Sequence, residues 1–163
     1  MSLVRFYVYR EKLILPTVEE TEAGFYIDSD PVQQLPVKDR QAIEKALVTA
    51  FYAGNKVVAT PEASVDKGSA LLDALNLVKW SSFEKFAVMY TVYLGGRYTT
   101  IYGTGRGPDS MWSHAETRAR YFHPTVPASM LARLIYEDVL KQPEAQSERF
   151  GLITVPKLLG GPK

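Results

Sequence analysis

The chain has 163 residues, of which 46% are hydrophobic and 23% charged, with a formal net charge of +1 at pH 7 and no cysteine. That length suffices to bury the core of one domain, so residues 1–163 are read as a single domain with a loosely ordered C-terminal tail from about 142. Disulfides, thiolate metal sites and a cysteine nucleophile are excluded, and the near-neutral charge announces neither nucleic acid nor an anionic membrane as partner.

In chain order, residues 4–9 (VRFYVY) alternate aromatic and aliphatic side chains and predict a first strand. The flanking sequence MSLVRFYVYREK has no long apolar stretch, so no signal peptide is expected. No run approaches the ~18 apolar residues of a membrane span. The expected location is cytoplasmic, with no membrane partner. Residues 12–15 stay extended up to Pro16, and 24–27 read as a short strand before a turn at Asp28-Ser29-Asp30-Pro31. Between Thr17 and Val37 lie five acids (Glu19, Glu20, Glu22, Asp28, Asp30) and no lysine or arginine. This pattern suits a solvated loop, or an acidic docking surface for a basic partner.

Residues 38–53 carry the strongest helical pattern, with Ile43, Ala46, Leu47, Ala50 and Phe51 on one stripe and Gly54 at the C′ position. Val57-Val58-Ala59 reads as a short strand closed by Pro61. A shorter helix is expected over 70–78, with Leu71, Leu75 and Val78 on its packed side. Ser81 and Glu84 have capping-box spacing, predicting one helical turn. Trp80 and Phe83 would seal the core where that turn meets the next strand.

The centre of the chain is 86–102 (FAVMYTVYLGGRYTTIY), two β-rich runs around Gly95-Gly96. A two-residue turn there pairs Leu94 with Arg97, Tyr93 with Tyr98, Val92 with Thr99 and Tyr90 with Ile101. Phe86, Val88, Tyr90, Val92, Leu94 and Ile101 then share a core face. Met89, Thr91, Tyr93, Tyr98, Thr100 and Tyr102 share a half-polar, aromatic one. Residues 103–108 (GTGRGP) are too rich in glycine and proline to predict an element. Residues 117–122 (TRARYF) predict a strand, against a competing helix over 111–122. Pro127 suits N1 of a last helix over 127–141, striped by Met130, Leu131, Leu134, Ile135 and Val139. The tail holds a candidate strand at 150–155. The fold class is therefore α+β: a mostly antiparallel sheet built around a central hairpin, with two main helices packed on one face.

No catalytic motif accompanies this pattern. His114, Glu116 and His123 contain zinc- or iron-ligand chemistry, but nine residues along a strand turn His123 to the opposite face from His114, so no metal is expected. His-x-Glu also occurs in zinc deaminases, whose partner cysteines this chain lacks. Gly103-Thr104-Gly105-Arg106-Gly107 is not followed by the Lys-Ser/Thr of a P-loop, and Gly-x-Ser-x-Gly is absent. No catalytic residue and no cofactor are expected. Arg97, Arg106, Arg118 and Arg120 lie in sequence near Tyr93, Tyr98, Tyr102 and Trp112. Aromatics beside a basic groove hold single strands, so a nucleic-acid-binding module is the alternative.

Three blocks carry a family resemblance. They are Asp30-Pro31-Val32-x-x-Leu35 running into the helix at 39–53, the stretch LLDALNLVKWSSFEK at 71–85 entering a strand, and the closing strand with Pro127 and its helix. Over about residues 28–140 the chain resembles small bacterial immunity proteins associated with contact-dependent growth inhibition, which bind and neutralise the toxin domain delivered by neighbouring cells. The segment 103–110 and the tail after 141 fall outside that pattern. The resemblance implies stoichiometric binding of a cognate toxin C-terminal domain rather than catalysis, and it fixes no interface. Physical chemistry points to Glu19, Glu20, Glu22, Asp28 and Asp30 as an acidic surface, and to Tyr93, Tyr98 and Tyr102 as aromatic anchors.

Overall fold

The computed structural model describes residues 1–62, 68–106 and 112–146. Its elements run β1 (Ser2–Tyr9), β2 (Lys12–Thr21), β3 (Tyr26–Pro36), α1 (Arg40–Ala53), β4 (Val57–Val58), α2 (Ser69–Ala74), α3 (Trp80–Glu84), β5 (Ala87–Leu94), β6 (Thr99–Arg106), β7 (Trp112–Phe122) and α4 (Ala128–Val139). The fold is α+β. Six strands form an antiparallel sheet in the order β3-β2-β1-β5-β6-β7, and β4 adds to β2 in parallel. Among the described residues no helix is long and apolar enough to cross a membrane.

Alternation along β1 sets the layering. Val4, Phe6 and Val8 face α1 and α4, joining Leu13, Leu15, Ile43, Leu47, Val92, Leu131 and Ile135 in the larger core. Phe6 stacks on its cross-strand partner Tyr90 with ring centroids 4.9 Å apart. Tyr7 and Tyr9 face the other way, where α2 and α3 bring Leu71, Leu72 and Phe83. The two main helices thus share one face, and the short pair covers half of the other. Trp80 and Phe83 sit edge-on at 5.3 Å and close this second core with Trp112.

Several local expectations change. The predicted α2 extends to residue 78, but the helix stops at Ala74. Asn76 adopts φ 54°, Leu77 N–H bonds back to the Leu72 carbonyl and Asn76 N–H to that of Asp73, a Schellman ending. Val78 is consequently 91% exposed rather than packed. Lys79, not Ser81, occupies the N-cap of α3. In α4 the buried stripe is Leu131, Ala132, Ile135, Tyr136 and Val139, so Met130 turns outward, and Pro127 is the N-cap. The tail is tied down further than 142: Pro143–Ala145 forms a 3₁₀ turn and the Glu144 carbonyl accepts from Glu11 N–H at 3.0 Å. The candidate strand at 150–155 lies outside the described residues.

Pro16 does not end its strand, and 28–31 is not a turn between elements. β2 runs through to Thr21 and β3 through Asp28 and Pro31. Pro16 is tolerated because the β1 ladder has already ended at Ile14 and the β2–β3 register shifts next to it. Beyond that point β1 and β2 splay. Asn55 fills the gap: its Oδ1 accepts from Leu3 N–H at 2.8 Å, and its Nδ2 donates to the carbonyls of Leu3 and Val18 at 2.8 and 2.9 Å.

The central hairpin also closes differently. Tyr93 pairs with Thr100, Val92 with Ile101, Thr91 with Tyr102 and Tyr90 with Gly103, two residues away from the expected register. Gly95 has φ 82° whereas Gly96 lacks a positive φ, so the connection is a four-residue loop rather than a two-residue primed turn. A slip of two preserves the face assignments within the paired strands, but Phe86, expected on the core face, precedes β5 and is 50% exposed. β6 then continues through Gly103 and Gly105, where only a loop was predicted. Thr104 Oγ1 anchors this extension by donating to the Met89 carbonyl at 2.9 Å and accepting from its N–H at 3.2 Å.

Candidate functional site

The half of the sheet that α2 and α3 leave uncovered is aromatic. Tyr93 and Tyr102 meet edge-to-face at 5.7 Å, Tyr102 meets Tyr121 at 6.4 Å, and Tyr121 meets Tyr98 at 6.2 Å, so the four rings form one connected array. Such T-shaped pairs set each ring's positive edge on its neighbour's negative face, which fixes the rings while leaving hydroxyls outward. Tyr98 and Tyr121 are 50% and 61% exposed, and Tyr93 and Tyr102 are half-buried. Hydrogen bonding with Tyr121 is the main reason the Tyr102 phenol is raised above its ordinary pKa. Tyr26 on β3 extends the array. Its phenol is pushed up by partial burial, then by the charges of Glu20, its cross-strand neighbour, and of Tyr93. Sequence reading missed Tyr121 and Tyr26. The alternation of β7 carried the signal for Tyr121, since it has the opposite parity to Arg118 and Arg120.

The five acids do not form one patch. Asp28 is consumed internally: Arg5 Nη1 donates to its Oδ1 at 2.8 Å and Tyr7 Oη to its Oδ2 at 2.5 Å. Its side chain is only 5% exposed. Glu19 and Glu20 are consecutive on a strand and face opposite ways, Glu19 accepting from Ser29 Oγ at 2.8 Å. Glu20 borders Tyr26 on the open face, and Glu22 and Asp30 are exposed. The structure therefore brings Glu20 to the tyrosines of the array and removes Asp28 from any outward contact.

The arginines named with the tyrosines divide similarly. Arg97 lies over the Tyr98 ring at 5.7 Å. Arg118 and Arg120 belong to the opposite, helix-bearing face. There Arg118 Nη2 donates to Tyr90 Oη at 2.9 Å, Arg118 Nη1 donates to the Thr104 carbonyl, and both arginines approach Asp138 of α4. Trp112 is packed into the second core, its Nε1 donating to the Ala87 carbonyl at 2.9 Å. The aromatic and arginine groups that a nucleic-acid platform would combine are thus largely separated by the sheet. The side chain of Arg106 lies outside the described residues, as do those of His114 and Glu116. His123 hydrogen-bonds Thr125 Oγ1 at 2.7 Å, and among the described residues no three ligand-type side chains cluster as a metal site.

No family model matches this chain, and no curated protein does. Among solved structures it is similar to a protein of unknown function, NMB0488 from Neisseria meningitidis. The match has a TM-score of 0.58 at 11% sequence identity and covers 81% of this chain and 89% of that one. At that identity the likeness concerns the fold alone.

Proposed function

We propose that this chain is a binding protein that seats a partner on the open, tyrosine-bearing half of its sheet, and that it serves as an immunity protein neutralising a cognate toxin domain. The observation that carries the reading is the connected array Tyr93–Tyr102–Tyr121–Tyr98, half exposed on a rigid sheet. Tyrosine offers large contact area with few rotatable bonds to immobilise, which makes it a strong interface anchor. Supporting the toxin assignment is the resemblance of the packing blocks over about residues 28–140 to contact-dependent growth inhibition immunity proteins. Glu20 and Glu22 at the rim favour a partner with basic groups facing them.

The test is co-purification from the native host, or with the product of the adjacent upstream gene. A one-to-one complex with a toxin C-terminal domain that survives high salt and is lost on Tyr102→Ala and Tyr121→Ala substitution is expected. Recovery of nucleic acid that washes off with salt would replace this reading by the nucleic-acid one.

A further inference from the structure

On the helix-bearing face, far from the tyrosine array in chemical character, lies a cleft of about 90 Å³ lined by Tyr90, Ile101, Arg118, Arg120, Leu134, Ile135 and Asp138. We infer that this cleft is a binding site for a small organic carboxylate with a short apolar tail.

The cleft lies beside a break in the β6–β7 ladder. Tyr102 pairs with Ala119 but Thr104 pairs with His114, so a single β6 residue, Gly103, faces four residues of β7. Arg118 stands next in register to Ala119, opposite Gly103, and lays its guanidinium across β6, where a Cβ on Gly103 would sit 2.9 Å from its Cζ. A side chain at 103 would push the guanidinium off that path. Arg118 is engaged in the fold, donating from Nη1 to the Thr104 carbonyl and from Nη2 to the Tyr90 hydroxyl.

Arg120, two residues on and on the same side, has no hydrogen-bond partner among the described residues. Among the described residues its closest charged contact is Asp138 Oδ1 at 3.8 Å, beyond hydrogen-bond length, and its side chain is 46% exposed at the mouth. Asp138 is already engaged, its Oδ2 accepting from Tyr90 Oη at 2.6 Å. Two guanidiniums against one carboxylate leave a net positive charge, with donors of Arg120 unassigned. A planar fork of donors selects a carboxylate or similar anion. Behind it Ile101, Leu134 and Ile135 form an apolar wall, and the free volume is several times that of one water. A carboxylate on Arg120 with its tail against that wall satisfies both halves of the cleft, whereas a bare inorganic anion satisfies one.

The test is an NMR titration of the full chain with acetate, propionate and butyrate, and with 1-butanol and inorganic phosphate as the tail alone and the charge alone. Saturable shifts of the Ile101, Leu134 and Ile135 methyls are expected, strengthening with tail length and weak for butanol and phosphate. Arg120→Met should weaken butyrate binding about tenfold or more, and Arg120→Lys by less. Both variants alter a half-exposed side chain, so both remain folded. Equal, unsaturating shifts for every anion, or butyrate binding indifferent to Arg120→Met, would overturn the assignment.

Discussion

The same three residue types are assembled twice in this molecule, once on each face of the sheet. Tyr7, Asp28 and Arg5 form one cluster, with tyrosine and arginine both bonded to the carboxylate at 2.5 and 2.8 Å and the aspartate side chain 5% exposed. Tyr90, Asp138 and Arg118 form the other, with the tyrosine bonded at 2.6 Å but the arginine 3.6 Å from a carboxylate that is 26% exposed. The first satisfies both carboxylate oxygens and leaves little of the aspartate to water. Asp28 sits on β3 and its partners on β1, so it reaches over the place where β1 and β2 splay, and with Asn55 it holds that end of the platform together. The second is looser, opens on a cleft and has a neighbouring arginine to spare. Identical chemistry is thus a structural tie in one setting and a candidate site in the other, and the difference lies in exposure and in which donors remain unassigned.

The largest effect should come from breaking the closed cluster. Asp28→Ala leaves the Arg5 guanidinium and Tyr7 hydroxyl without their shared acceptor and should cost about 3 kcal/mol in a urea unfolding experiment. Asp138→Ala, in the open cluster where water can enter, should cost about 1 kcal/mol. Equal losses would mean the two clusters are energetically alike.

Next in size is the interface. Tyr121→Ala removes a 61% exposed ring, so stability should change little, while partner affinity measured by calorimetry should fall about tenfold or more.

Alkaline pH separates the clusters from the surface tyrosines. Burial, then the charge of Asp28, raises the Tyr7 phenol well above its ordinary value, and burial with the Asp138 hydrogen bond raises that of Tyr90. A group held neutral in the fold stabilises fully below its unfolded pKa and loses that contribution as pH climbs toward its folded one. Stability should therefore be steady up to about pH 10 and then fall by up to about 1.4 kcal/mol per pH unit for each of the two tyrosines. Tyr7→Phe should flatten that fall, and pH-dependent unfolding monitored by circular dichroism checks it. Glu20→Lys and Glu22→Lys should have the smallest effect, a few-fold weakening of a basic partner that disappears at high salt.

Much of this architecture was legible in the sequence because alternation and helical periodicity encode which side of an element is buried. Val4, Phe6 and Val8 against Tyr7 and Tyr9, or Ile43 and Leu47 on α1, needed no knowledge of tertiary partners. What the sequence did not reveal depended on long-range pairing. The hairpin register goes with a bond the turn residues do not announce, Thr104 Oγ1 to the backbone of Met89, fifteen positions away in the chain. Pro16 looked like a strand end because nothing local announces that β1 has already left its side. The acidic segment looked like a single surface because the Arg5 and Tyr7 that neutralise Asp28 precede it by more than twenty residues. Tyr121 and Tyr26 joined the array only when β7 and β3 were placed in the sheet.

The most direct measurement is hydrogen–deuterium exchange of the chain alone and in complex with its purified partner. A partner seated on the tyrosine array should slow exchange at the β5–β6 loop and at the ends of β6 and β7 that carry Tyr98, Tyr102 and Tyr121, leaving α1 and α4 unchanged. Protection confined to α1 and α4, with the array exchanging as in the free chain, would contradict the proposed interface.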